Sequence, residues 1–332
     1  MHKIRVNDAI SLALQEEMER DPKIFIIGEE VGKSGGTYKC TKDLYAKFPN
    51  RIIDTPISEM GFTGMACGAS YSGLIPVCEF MTWNFAFQSI DHIINSSAKM
   101  RYMSGNVIKN NSIVFRGPNG LSKGVGAQHT HDLSALLGSI PGLFVAAPFS
   151  ARDHRGILKK ALRCGNPVAI LENEELYKNE FICDESFNNR DFQQEFCCVK
   201  ERSGNDITIV GISLNLMECL GAADDLYAIH GIEAEVINLL SIRPLDMEAI
   251  YESVQKTKKL IVVDNFWPMF GLASEIACNV FEKFIKSNCK MIIKRLSGTD
   301  CPTPYSEKLE KLAFISQQQI VANALEIIKP KD

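Results

Sequence analysis

Residues 54–80 read DTPISEMGFTGMACGASYSGLIPVCEF, and the fold turns on how this stretch divides. RIIDT (51–55) leads into it as an apolar strand, Ser58 stands where a helix N-cap belongs, and a glycine-dotted helix is predicted through about Ser72. LIPVCEF (74–80) then reads as a buried strand. Strand, helix and strand in that order point to a parallel sheet covered on both faces. Glu59 heads the helix. The macrodipole there favours a carboxylate and burial favours the protonated acid, so a carboxyl held between the two suits proton relay. On residue pattern alone the simpler reading is the commoner one: Ser58 caps, Glu59 adds first-turn charge, and the glycines only pack. Gly61, Gly64 and Gly68 are spaced to share a helix face, which predicts close approach of another backbone.

The same alternation extends in both directions. Residues 5–21 read as a helix and IFIIG (24–28) as a strand, and an amphipathic pattern from Thr82 to about Met103 has Phe85, Ile90, Ile93 and Ile94 on its apolar side. SIVFR (112–116) and LFVAA (143–147) are strands around a Gly-rich loop, GPNGLSKGVGAQ, expected to be flexible. A helix (SARDHRGILKKALRC) and a strand (VAILEN) follow. Residues 174–194 lack periodicity, and beyond them strands and helices alternate again to two short C-terminal helices. The expectation is an α/β protein of two doubly wound domains, 1–180 and 201–332, joined by a linker over 181–200.

Composition limits the function. A chain of 332 residues suggests roughly two domains, and 45% hydrophobic and 23% charged residues are ordinary for a globular protein. A net charge of −4 with no Lys/Arg block gives no footprint for nucleic acid. No apolar run approaches the roughly 18 residues that span a bilayer. The first residues pass directly into a helix-like pattern, without a signal core or an Arg/Ser-rich transit stretch. Eleven scattered cysteines, none in C-x-x-C spacing, fit a reducing compartment, with Cys67, Cys78, Cys219 and Cys278 read as small buried hydrophobes. His129-x-His131 followed by Asp132 is a weak zinc pattern, and no P-loop occurs.

Glu59, Gly64-Met65 and Gly68 together match the Glu-x4-Gly-Φ-x2-Gly pattern of thiamine-diphosphate enzymes. With DTPISEMGF, EFMTWNFAFQSIDHIIN, YMSG, IVFRGPNG, AQH, SIRPLDMEAI, Trp267-Pro268 and GTDCPTPY, nearly the entire chain resembles the β subunits of pyruvate dehydrogenase's decarboxylating component. The resemblance implies a transketolase-like pyrimidine-binding domain followed by a transketolase C-terminal-like domain. It also implies that Glu59 hydrogen-bonds a ring nitrogen of thiamine diphosphate's aminopyrimidine, with Ile57, Met81, Phe85 and Gln88 around that ring. His129 would orient substrate and assist acyl transfer to a lipoyl group. By the same resemblance, Ile113, Ala161, Leu162, Cys164 and Asn166 match a potassium loop, with Cys164 standing where the family often has Asp. No Gly-Asp-Gly motif occurs, so Mg²⁺ and the diphosphate are expected on a separate α subunit in an α₂β₂ heterotetramer. A dihydrolipoyl acetyltransferase core would be the further partner and pyruvate the substrate. The implied compartment is the mitochondrial matrix in a eukaryote or the cytoplasm in a bacterium.

Two other readings stand beside this one. A β subunit for branched-chain 2-oxo acids or acetoin shares the fold, though EFMTWNFAFQ resembles the pyruvate type. A scaffold chain without catalysis shares it too, against which stand Glu59, Gln88 and His129. Further departures from the family pattern are Asp264-Asn265-Phe266, His131-Asp132 and KNEFICDE.

Overall fold

The computed structural model describes residues 2–183, 187, 196–265, 267–286 and 290–328. The chain divides into two compact units, Met1–Asn119 with Leu136–Phe196, and Gly120–Ala135 with Cys197–Asp332. In the first unit β1 (His2–Arg5) pairs antiparallel with β8 (Glu180–Cys183). Between them come β2 (Ile24–Gly28), β3 (Ile52–Asp54), β4 (Ile75–Glu79), β5 (Ile113–Pro118), β6 (Phe144–Ala146) and β7 (Pro167–Glu172). These align as β6-β7-β5-β4-β2-β3, every neighbouring pair parallel. β5 and β7 are buried along their whole length, which is why their sequences run apolar without alternating.

The second unit holds β9 (Val199–Arg202), β10 (Ile207–Gly211), β11 (Ala234–Asn238), β12 (Ser241–Arg243), β13 (Lys259–Val263) and β14 (Ile292–Leu296). Its sheet runs β14-β13-β10-β11-β9, parallel except for β9. The expected α/β architecture is present in both units. Of the linker expected at 181–200, residues 184–186 and 188–195 lie outside the described residues. The boundary falls between Phe196 and Cys197, inside the expected 181–200 linker, and one further segment, Gly120–Ala135, goes with the second unit. There Gly124 N–H donates to Glu310 Oε1 (2.9 Å), and Gly126, at φ 72°, lies so close under the Tyr305 ring that a Cβ would collide with it. The Gly-rich loop, expected to be flexible, is thus pinned.

Three other expectations need correction. Residues 82–103 are not one regular helix: a 3₁₀ turn (Phe85–Ser89) passes into a π segment (His92–Ala98) and then a short α turn (Met100–Met103). Side chains draw its carbonyls outward, with Cys67 Sγ donating to His92 O, Tyr71 Oη to Ser96 O and Asn111 Nδ2 to Ser97 O. Residues 174–194, read as featureless, contain a 3₁₀ turn (Glu174–Leu176) and β8, a half-exposed strand too short to show a period. Cys67, Cys78 and Cys219 are buried, but Cys278 is exposed.

One charge lies deep in the first sheet. Arg116 of β5 is 1% exposed and makes a fork to Glu172 of β7, through Nε to Oε1 (2.8 Å) and Nη2 to Oε2 (2.5 Å). Its Nη1 pairs with Glu79, directly across on β4, and Tyr177 Oη donates to Glu172 Oε2 (2.6 Å). Burial pushes the Glu79 carboxyl's proton affinity up, and Arg116 opposes that shift. Replacing Arg116 with Leu leaves two buried carboxyls without their cation, a change that costs about 3–5 kcal/mol. Thermal unfolding of the variant, followed by the fluorescence of buried Trp83, is expected to show a clearly lowered midpoint.

Candidate active site

The strand order makes a crevice. β3 lies on one side of β2 and β4 on the other, so successive connections leave the sheet edge in opposite directions. Such a switch point, beyond the C-terminal ends of parallel strands, is where open α/β sheets bind ligands. Gly28, Asp54 and Glu79 stand in register at these ends. Asp54 Oδ1 accepts from Gly32 N–H (2.6 Å), and Thr55 N–H donates to Gly28 O (3.0 Å), tying the exit of β2 to that of β3.

Glu59 begins the Glu59–Tyr71 helix and is 3% exposed. Ser58 occupies the N-cap, but its hydroxyl makes no capping bond; its carbonyl accepts from Phe62 N–H (3.0 Å). Glu29, immediately after β2, is buried beside Glu59, and its proton affinity is raised by burial first, then by the Glu59 charge and a hydrogen bond between the two carboxyls. Glu29 Oε1 is buried without a hydrogen-bond partner. Two acids this close hold a proton between them more readily than two charges. Sequence reading missed Glu29, although an acid directly after an apolar parallel strand was a usable signal.

Met81, Phe85 and Gln88 follow β4. They are positioned by Phe80 N–H to Arg116 O (2.9 Å), Trp83 N–H to Pro118 O (2.9 Å) and Trp83 Nε1 to Ile170 O (3.0 Å). In a 3₁₀ turn residues three apart eclipse, so half-buried Phe85 and exposed Gln88 share a side. The Glu59–Tyr71 helix packs on this turn. Ile57 is 85% exposed, and Met60 and Met65 are 62% and 63% exposed. Of the helix glycines, Gly64 faces the His92 ring, Gly61 faces the Ser58 side chain, and Gly68 opens onto empty space. Among the described residues, the nearest atoms to Gly61 and Gly64 are side chains, not the backbone expected there.

His129 belongs to the second unit, half-buried on the 3₁₀ turn Ala127–His129. His131 lies edge-on to Trp267, ring centres 5.4 Å apart, and burial lowers its proton affinity. Among the described residues no group of three or more His, Cys, Asp or Glu side chains could hold a metal ion. Two of the departures from the family pattern meet in this unit. Asp264 feels the charge of Asp132, and its pKa is pushed up to about 7, chiefly by burial. Ala273 N–H donates to Asp264 Oδ2 (2.8 Å) and opposes the shift. Phe266 lies outside the described residues.

In the first unit Ala161, Leu162, Cys164 and Asn166 surround the end of the Ala151–Arg163 helix, and Ile113 pairs with Pro167 beside them. The one Cys164 thiol proton has two acceptors in reach, Ala161 O (3.4 Å) and Asn166 O (3.8 Å), while Asn166 Nδ2 donates to Cys164 O (2.9 Å). Arg101 donates to Gly165 O (2.5 Å) and Asn166 Oδ1 (2.7 Å). Donors thus face the carbonyls of Ala161, Cys164, Gly165 and Asn166, with a guanidinium beside them.

Comparisons with known proteins bear on the whole chain. Residues 2–180 match the transketolase pyrimidine-binding domain and 198–320 the transketolase C-terminal domain. The mitochondrial pyruvate dehydrogenase E1 component subunit beta of Chaetomium thermophilum is 49% identical over 98% of this chain and 85% of its own length. That of Saccharomyces cerevisiae is 47% identical over 97% and 88%. Among solved structures, a split-gene transketolase, an inactive beta4 tetramer, aligns with TM-score 0.79 at 24% identity over 99% of both chains. A transketolase from Leishmania mexicana aligns with TM-score 0.74 at 14% identity, covering all of this chain and 47% of that one. At those identities the two structures speak for the fold alone.

The Asp264 shift sets a pH dependence. Its folded pKa lies above the unfolded value, so stability is fully present below pH of about 4 and is lost as pH rises through about 7. Asp264→Asn is expected to flatten that decline in unfolding midpoints measured from pH 4 to 8. A variant that follows the wild-type slope would contradict the assignment.

Proposed function

The chain belongs to the family of pyruvate dehydrogenase E1 component β subunits, and from that membership we propose that Glu59 is its catalytic acid, in a site that a second chain completes. With an α subunit and thiamine diphosphate it carries out the oxidative decarboxylation of pyruvate and passes the acetyl group to a lipoyl group of dihydrolipoyl acetyltransferase. In a eukaryotic cell it works in the mitochondrion, as its relatives do.

The observation that carries the site reading is the buried Glu59–Glu29 pair at the strand switch point, bordered by exposed apolar side chains. Those residues fit an aminopyrimidine: a buried carboxyl for a ring nitrogen, and Met81 and Phe85 for its faces. Thiamine diphosphate, when bound, supplies a carbon nucleophile and an electron sink for decarboxylation. Glu59 would be the carboxyl that hydrogen-bonds the ring nitrogen, and Glu29 sets beside it a second carboxyl whose proton affinity burial raises. Exposed Ile57 would offer the ring apolar surface and Gln88 an amide on the side of Phe85, while the resemblance assigns His129, on the second unit, to the 2-oxo acid. Mg²⁺ and the diphosphate fall to the α subunit, since this sequence has no Gly-Asp-Gly motif.

Glu59→Gln in the co-expressed α/β enzyme is expected to lower pyruvate turnover by about 10²–10⁴-fold, the usual span for loss of a positioned acid, while assembly is unchanged. Undiminished turnover would favour a scaffold role. Turnover of pyruvate is also expected to exceed that of 2-oxoisovalerate in the same assay, and the reverse order would make this a branched-chain subunit.

A further inference from the structure

The last carbonyls of a helix lack intrahelical donors and carry the negative end of its dipole, so something cationic or protic must meet them. At the end of the Ala151–Arg163 helix this chain supplies both kinds of partner itself. The Cys164 thiol reaches Ala161 O and, across the turn, Asn166 O. Gly165 takes φ 72°, the left-handed conformation that reverses the chain at a helix C-terminus, and its carbonyl accepts from Arg101 Nη2. Arg101 Nη1 holds the Asn166 side chain, whose Nδ2 in turn donates to Cys164 O.

Potassium sites replace the ion's water shell with several carbonyl oxygens at once. Here such an ion would have to compete with the thiol for Ala161 O and Asn166 O and sit beside a guanidinium that never loses its charge. A carboxylate at position 164 would help to hold an ion against that charge, and the thiol brings no charge. We propose that Arg101 and Cys164 close this loop in place of a monovalent metal ion, so that the protein, unlike the family pattern its sequence resembles, has no potassium requirement. Arg101 acts here as a positioning residue, linking the Met100–Met103 turn to the 164–166 loop. Nothing in this inference depends on the role of Glu59.

The test uses the α/β holoenzyme in potassium, sodium or choline chloride at equal ionic strength. A bound ion would raise the unfolding midpoint by roughly 5 °C at about 100 times its dissociation constant. We expect midpoints within about 1 °C across the three salts, and no anomalous peak beside Ala161 O in holoenzyme crystals soaked with thallium(I), a potassium mimic. A potassium-specific rise, or a thallium peak at that carbonyl, overturns the proposal. Arg101→Met should lower the midpoint equally in all three salts, and a midpoint equal to wild type would remove Arg101 from the role.

Discussion

The pairing of Arg116 with Glu79 and Glu172 constrains everything that follows the C-terminal edge of the first sheet. The three side chains come from β5, β4 and β7, strands that are neighbours in the sheet. Desolvating three charges is costly, and such a cluster adds little net stability over an apolar filling. Its consequence is positional. A slip of either neighbouring strand would leave a buried charge without its partner, so the strand ends stay where the backbone bonds from Phe80 and Trp83 need them. Those bonds carry Met81 and Phe85, and the Glu59 helix packs on the same turn.

The acid pair depends on that placement. β2 is flanked by β3 and β4, so the segments leaving it and β3 rise side by side, and Glu29 and Glu59 are brought together from separate connections. Asp54 holds the Glu29 connection down through Gly32 N–H. Removing water from two nearby carboxyls disfavours two charges and favours one shared proton. In the raised proton affinity of Glu29, burial is the larger cause and the neighbouring charge adds to it.

Much of this was legible in the sequence because it rests on local chemistry. Apolar runs such as IFIIG and VAILE announce buried parallel strands, and Ser150 with Asp153 forms the capping box that starts the Ala151–Arg163 helix. What escaped reading depends on partners distant in sequence. β1 pairs with β8 from His2 with Cys183 to Arg5 with Glu180, a pairing that half-exposed short strands without a period do not announce. The π segment exists because Cys67, Tyr71 and Asn111 reach its carbonyls, and none of them lies within it. The Gly-rich loop looked mobile because its anchors, Tyr305 and Glu310, come nearly two hundred residues later. The glycine spacing of the Glu59 helix was visible, but that Gly64 meets the His92 ring and Gly68 empty space was not.

That open face bears on the chemistry of the pair. Glu59 is buried, yet Ile57, Met60 and Met65 beside it remain more than half exposed, an arrangement unfavourable for a chain in water by itself. Covering them removes apolar surface from water, which drives association. It also withdraws water from the edge of the crevice. The largest cause of the raised Glu29 proton affinity is its removal from water. The fold of this chain brings Glu29 and Glu59 together beneath that exposed apolar surface.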